Sequence, residues 1–517
     1  MPELVQASGA SVSGDETIAG LLPQRYLGVF LVKKIMVRGA VALAAAALSG
    51  LALVGTGVPE AAAKAGHPAR TPSAGTVHAA AAPGAQLWVA RDNGNGASSV
   101  AVSPDGTRVF ITGQSVLLNG GNGGYTYVTV AYNAVTGARL WTASYKGSGN
   151  GLNQAYSVAV SPNGRRVFVT GESDGSGTSL DYATVAYNAA TGSQVWAARY
   201  DDPAHQSDSA YSIAVGRDGG RVFVTGTSYT GSGRSYDYAT VAYSAATGAK
   251  LWAERYNGTA NGADGGFAVA VSPAGGAVLV TGTSVETGTG ADYTTIAYDP
   301  ATGAQLWLQH YDGADLGDYA RALTVGPAGT VYVTGESQTT AGSGASSNYA
   351  TVAYSTTGAQ LWAARYHGPG TGEDTPTAVA VSPTGNTVFV TGASNGASSG
   401  YDYATVAYDT HTGAQLWVNR YSGGGASSVA VSGDGAKVYV TGGSNGAFTG
   451  SDYATLAYRT TTGARLWLRR YTGPGDGSDS ATSMAVSPTS NKLFVTGISP
   501  GWPGGTAGGH ATVAYSG

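Results

Sequence analysis

One module of about 55 residues recurs along this chain from Gln86 to its end, and that repeat constrains the fold more than any other feature. Four short segments return in fixed order. Strand A is an Ala-Val-Ser element, at Val100–Ser103, Val158–Ser161, Ile213–Gly216, Val269–Ser272, Leu323–Gly326, Val379–Ser382, Val429–Ser432 and Met484–Ser487. Strand B is a Val-Phe-Val-Thr-Gly element ending at Gly113, Gly171, Gly226, Gly282, Gly335, Gly392, Gly442 and Gly497. Strand C is a Tyr-Ala-Thr-Val-Ala-Tyr element ending at Tyr132, Tyr187, Tyr243, Tyr298, Tyr354, Tyr408, Tyr458 and Tyr515. Strand D carries a tryptophan, in turn Trp88, Trp141, Trp196, Trp252, Trp307, Trp362, Trp417 and Trp467.

Each segment is a short run of β-branched and aromatic residues bounded by Gly, Pro, Asn or Asp, the signature of a strand, and none has helical spacing. The chain enters the repeat at strand D (86–91) and leaves it after strand C (511–515), so its two ends complete one blade. The expectation is an all-β, eight-bladed β-propeller of four-stranded antiparallel blades over residues 84–517. Ring closure leaves no long free sheet edge, which keeps such a chain from associating edge to edge. The 81 glycines fit many tight turns, and 32 Tyr with 9 Trp supply a core that disordered chains lack.

Net charge of −4 gives no basic stripe for phosphate neutralisation, so nucleic acid is excluded as a partner. The chain has no cysteine, hence no disulfide, thiolate metal site or cysteine nucleophile. Lys33, Lys34 and Arg38 precede an apolar run over 39–55, followed by Pro59 and Ala61-Ala-Ala63, the order of a secretory signal. Residues 1–63 therefore read as an extension plus signal, with the true start at Met36, and 64–83 as a flexible linker. The mature chain is expected to be secreted or held in the cell envelope, monomeric and without a transmembrane anchor.

Segments such as Ala297-Tyr-Asp-Pro-Ala-Thr-Gly-Ala-Gln-Leu-Trp307 resemble the tryptophan-docking repeat of the pyrroloquinoline-quinone (PQQ) propeller family. Asp374-Thr-Pro-Thr-Ala-Val-Ala-Val-Ser-Pro-Thr-Gly-Asn-Thr-Val-Phe-Val-Thr-Gly392 is similar to the repeat named after seven-bladed bacterial propellers (SBBP). The two likenesses span essentially all of 84–517. The dehydrogenases of the PQQ family would imply a quinone held by calcium in the axial channel, an acidic base and often a disulfide. The cysteines are absent, and no residue here matches the calcium ligands or the base.

Two sets of polar residues recur. Asp181, Asp237, Asp292, Asp402 and Asp452 open strand C, and Arg199, Arg255, His310, Arg420 and Arg470 stand eighteen residues later. A C–D hairpin brings each near its Asp, so they read as structural cross-strand pairs contributing at most about 1 kcal/mol each when exposed. Blade 1 changes both members together, to Thr126 and Ser144. Asn95, Asn153, Asp208, Asp264, Asp318, Asp374 and Asp479 precede the last valine of strand A by seven residues, with Gly424 the exception. They read either as a cation or ligand rim at the channel mouth or as acceptors that fix the D–A loops through backbone N–H groups. Three Gly-x-Ser-x-Gly stretches, 171–175, 392–396 and 442–446, lack the strand-to-helix turn of a nucleophile elbow. Glu172, Glu336 and Glu373 are candidate acids that nothing in the sequence pairs, and Trp502 is the one tryptophan outside strand D. No catalytic residue, cofactor site or metal site is assigned.

Variable B–C and D–A loops against tight A–B and C–D turns place a ligand on the B–C/D–A face. The leading expectation is an exported binding module for a protein, glycan or small molecule. The alternatives are a PQQ-type or other small-molecule oxidoreductase, with calcium as its companion ion, and a glycan-acting hydrolase or lyase.

Overall fold

The computed structural model describes residues 81–517 apart from 93–95, 117–124, 150, 178, 230–234, 314–315, 340–345, 447–449, 475–476 and 501–508. Eight four-stranded antiparallel sheets form the blades of a ring. Blade 2 shows the plan: strand A is Asn153–Val160, B is Arg166–Asp174, C is Leu180–Asn188 and D is Gln194–Tyr200. The strands A of successive blades lie side by side, so they line the axis and strands D form the rim.

The ring closes within blade 8. Gln86–Asp92 pairs antiparallel with His510–Ser516, which continues to Lys492–Ile498 and Ser480–Val486. The cut in the circle thus falls at a C–D turn. Gly84 amide donates to the Ser516 carbonyl at 2.7 Å and stands where the turn glycine stands in other blades, against Trp467 of blade 7.

No single core exists; eight apolar clusters fill the eight junctions. Between blades 2 and 3, Phe168, Tyr182, Trp196 and Tyr200 meet Ile213, Val222, Val224, Val241 and Tyr243. Trp196 explains why every strand D carries this residue. Its ring lies 5.8 Å from Phe168 and 6.4 Å from Tyr243, and its Nε1 donates to the Ala245 carbonyl of the next blade at 3.1 Å. An indole buries a large apolar area while its one N–H finds an acceptor in the next blade, as it does in seven of the eight blades, Trp467 beside the ring closure being the exception.

Two boundaries differ from the sequence reading. Strand B continues beyond its glycine, to Asp174 in blade 2 and Gly396 in blade 6, so Glu172 and Ser173 lie within the sheet and not in the B–C loop. Strand A starts earlier than its Ala-Val-Ser element and carries one irregularity in every blade. In blade 2 Ala155 pairs with Gly171 and Ser157 with Thr170, leaving Tyr156 as the extra residue of a β-bulge. The bulge breaks the alternation that marks a strand, which hid these residues. Among the described residues no helix is long and apolar enough to cross a membrane, and the apolar run over 39–55 lies outside them.

Candidate functional site

The recurrent polar residues form a lattice that blade 2 shows in full. Arg199 of strand D donates to Asp181 Oδ2 at 2.6 Å, and reaches past strand C to Ser173 Oγ at 2.9 Å and its carbonyl at 2.7 Å. Ser173 in turn donates to Asn153 Oδ1 at 2.6 Å, and that oxygen also accepts the Gly147 amide of the D–A loop at 2.8 Å. One chain of contacts therefore ties all four strands and the incoming loop. Blade 6 repeats it through Arg420, Asp402 (3.1 Å), Ser394 and Asp374, while blade 7 keeps Arg470 with Asp452 (2.9 Å) and Ser444 but has Gly424 in place of the strand-A acceptor. Arg255 lies 3.6 Å from Asp237 and bonds Asp202 of the preceding D–A loop. The fifth couple departs: His310 turns to Thr294 and Glu286, not to Asp292.

Asn153, Asp208, Asp264, Asp318, Asp374 and Asp479 are completely buried at the start of strand A. Asp208 accepts the Asp202 amide at 3.0 Å, Asp264 that of Gly258 at 2.7 Å, Asp318 that of Gly313 at 2.7 Å and Asp374 that of Gly368 at 2.8 Å. Asp479 accepts the Gly473 amide at 2.6 Å. Asn95 and Trp502 lie outside the described residues. Ser173, Ser394 and Ser444, the serines of the Gly-x-Ser-x-Gly stretches, are buried in the lattice, which denies them a substrate.

Burial pushes the carboxyls of Asp208 and Asp264 up to about 7, against the lowering effect of their hydrogen bonds. A carboxyl with a pKa raised by folding holds its proton more tightly when folded. Its contribution to stability is whole below the ordinary carboxylate range and is lost as pH rises through about 7. We expect Asp208→Asn, which copies Asn153 of blade 2 and keeps an acceptor for the loop amide, to flatten the fall in Tm between pH 5 and pH 8. A melting profile against pH as steep as that of the unmodified chain would contradict this.

What breaks the eightfold repeat lies at the bulges. The bulge residue is Ser98, Tyr156, Tyr211, Phe267, Arg321, Thr377, Ser427 and Thr482 in blades 1 to 8. Three successive blades thus present aromatic rings from their innermost strands: Tyr156 and Tyr211 lie 5.7 Å apart, Tyr211 and Phe267 5.8 Å. Glu172 is 1% exposed beneath them, accepting from Tyr156 Oη at 2.9 Å and Ser209 Oγ at 2.5 Å. Blade 5 continues the arc with Arg321, whose Nε and Nη2 both donate to Glu336 Oε1, at 2.9 and 2.5 Å. So Glu172 and Glu336, unpaired in the sequence reading, each have a partner supplied by a bulge. The opposite half of the ring carries small residues: Thr377 and Thr482 donate to Ala426 and Ala97 carbonyls of the following blade, both at 2.8 Å.

Strand A runs from the D–A loop to the A–B turn, and the bulges sit in its first half, so the arc lies toward the B–C/D–A face. More aromatics stand on that side: Tyr229 and Tyr236 pack edge to face at 5.2 Å, and Tyr401 is 46% exposed. The other face has a groove of about 450 Å³ among Pro104, Asp105, Arg108, Pro162 and Arg165, built from A–B turn residues of a kind that recurs around the ring. Two acidic triads, Asp181–Asp201–Asp208 and Asp292–Asp312–Asp318, each place one oxygen per residue within 4.8 Å of the others.

Comparison with known proteins agrees with this architecture. A family model described as outer membrane protein assembly factor BamB matches residues 181–347 and 348–501. No curated protein matches the chain. Among solved structures, BamB from Moraxella catarrhalis is 16% identical, with 83% of this chain and 99% of that one covered at a TM-score of 0.46. The quinohemoprotein alcohol dehydrogenase from Comamonas testosteroni is 13% identical, covering 83% and 76%, with a TM-score of 0.52. The C-terminal WD40 domain of Sif2 is 10% identical, covering 84% and 98%, with a TM-score of 0.53. The last two share the fold and nothing further can be taken from them. With more than half of its length matched by the family model and eight blades closed by its own two ends, the chain belongs to the BamB-like, PQQ-type family of β-propellers.

Proposed function

We propose that the chain is an exported binding propeller, its mature part 84–517 following a cleaved leader, which receives a glycan at the B–C/D–A face over the aromatic arc. The observation that carries this is the arc itself, a run of three rings where the other blades have small residues or arginine. A ligand site needs directions that an eightfold ring lacks, and Tyr156, Tyr211, Phe267 and the Arg321–Glu336 pair supply them. Aromatic faces accept the C–H faces of sugars, while ordered carboxylate and guanidinium groups at the margin orient hydroxyls. The low charge of the chain, 27 basic and 31 acidic residues in 517, favours a neutral ligand. Membership of a family named for outer membrane protein assembly supports a place in the cell envelope.

The test is a binding screen of the purified full-length chain against soluble envelope glycans, alongside Tyr211→Ser, which copies Ser98 and Ser427 of other blades. Glycan binding lost by about tenfold or more in Tyr211→Ser, with Tm nearly unchanged, is the expected result, since stacked rings concentrate binding energy. Equal binding by both forms would move the site elsewhere. Saturable calorimetric binding of PQQ in the presence of saturating calcium would instead establish the oxidoreductase reading.

A further inference from the structure

Five strands C open with an aspartate, and at four of them a guanidinium lies within 3.6 Å. Blade 4 is the exception, because His310 stands where the others have arginine. Its Nδ1 meets Thr294 Oγ1 at 2.9 Å and its Nε2 meets Tyr256 Oη at 3.3 Å, while Glu286 lies 3.7 Å away. The imidazole thus faces Thr294, Tyr256 and Glu286 and makes no contact with Asp292. Asp292 is therefore left without a cation from strand D although it is only 2% exposed. Its Oδ2 accepts from Thr289 Oγ1 at 2.7 Å, and its Oδ1 is buried with no hydrogen-bond partner.

The groups that converge on Asp292 are themselves acidic. Asp312 of the D–A loop and Asp318 of the next strand A converge on Asp292, one oxygen of each within 4.8 Å of the others, and Glu286 adds to the negative field. Arg365 is the cation whose field reaches Asp318, and it is engaged with Ser337 Oγ and Tyr311 Oη. The sister triad at the junction of blades 2 and 3 is already engaged, with His205 Nδ1 2.7 Å from Asp201. There Arg199 Nη2 sits 2.6 Å from Asp181, so a guanidinium already stands among the carboxylates.

We infer that the junction of blades 4 and 5 binds one calcium-like divalent cation through Asp292, Asp312 and Asp318. Three hard carboxylate oxygens suit such an ion, and ligands at about 2.3–2.6 Å from calcium lie at most about 5 Å apart, which the triad satisfies. Backbone carbonyls and water complete a flexible shell of that kind. The site joins two blades, so its occupation ties strand C of one to strand A of the next. Because arginine fills the equivalent position at blades 2 and 3, only one of the two triads among the described residues is open to an ion.

The full-length chain, stripped with chelator, is titrated calorimetrically with calcium chloride. The expected result is one calcium per chain and a higher Tm on binding. His310→Arg, which installs the arginine of blades 2, 6 and 7, is expected to lower calcium affinity by about tenfold or more, and Asp201→Asn to leave it unchanged. Asp312→Asn, at a partly exposed loop position, gives the same loss should His310→Arg fail to fold. Absence of binding heat, calcium affinity unaffected by both His310→Arg and Asp312→Asn, or loss of binding in Asp201→Asn would overturn the inference.

Discussion

Gly171→Ala is expected to destabilise the protein by about 3 kcal/mol, the upper end of what a forced overpacking of a rigid interior typically costs. The residue lies within strand B opposite the bulge of strand A, where the extra residue Tyr156 drives the neighbouring backbone inward. A methyl group at Gly171 would collide with the Gln154 carbonyl oxygen and come within 2.9 Å of Ala155 Cα, and neither is a side chain that can swing away. Gly276→Ala is the matched control, since an added Cβ there has nothing within 4 Å, and it is expected to change stability by no more than about 0.5 kcal/mol. Thermal melting of the two variants beside the parent chain measures the difference. Equal midpoints would mean that the bulge yields freely, and the reading of the glycine as a steric necessity would fail.

Trp196→Ala is expected to cost about 3–5 kcal/mol, as large-to-small changes of a buried tryptophan do. The substitution removes the ring between Phe168 and Tyr243, the bond to the Ala245 carbonyl, and the surface on which the C–D turn of blade 3 rests. A Cβ at Gly248 of that turn would come 2.7 Å from the indole, so the turn is shaped to the ring. Val195, the adjacent residue of the same strand, is 43% exposed, and Val195→Ala should fall within about 0.5 kcal/mol of the parent. Urea unfolding of the pair reads the contrast. A small loss in Trp196→Ala would show that neighbouring blades hold together without the indole.

The fold was legible in the sequence because the features that build it repeat. Strand-D tryptophans, Thr-Gly pairs of strand B and alternating strand residues return eight times, and the offset of the first and last elements reveals how the ring closes. The aromatic arc was not legible for the same reason. Tyr156, Tyr211 and Phe267 stand where the repeat varies and where the bulge interrupts alternation, so they look like noise in a strand otherwise made of Ala, Ser and Val. Aligning the eight copies on the last valine of strand A and asking which column changes character would have found them. Glu336 stood without a partner in the linear reading because Arg321 meets it only through the shift of register that the bulge introduces. The exchange of arginine for His310 was visible, yet its consequence for Asp292 required knowing which way the imidazole turns.

The closure of blade 8 makes the order of synthesis matter. Among the described residues Gln86–Asp92 is the first strand to leave the ribosome, and its partner His510–Ser516 is the last. Domains generally take shape from the N-terminus during synthesis, and seven blades can each assemble from contiguous sequence. Gln86–Asp92 alone must wait, its backbone groups unsatisfied, until His510–Ser516 has been made. Loss of His510–Ser516 would therefore leave Gln86–Asp92 without its partner as well, so that one lesion would disable two strands that lie more than 400 residues apart in sequence.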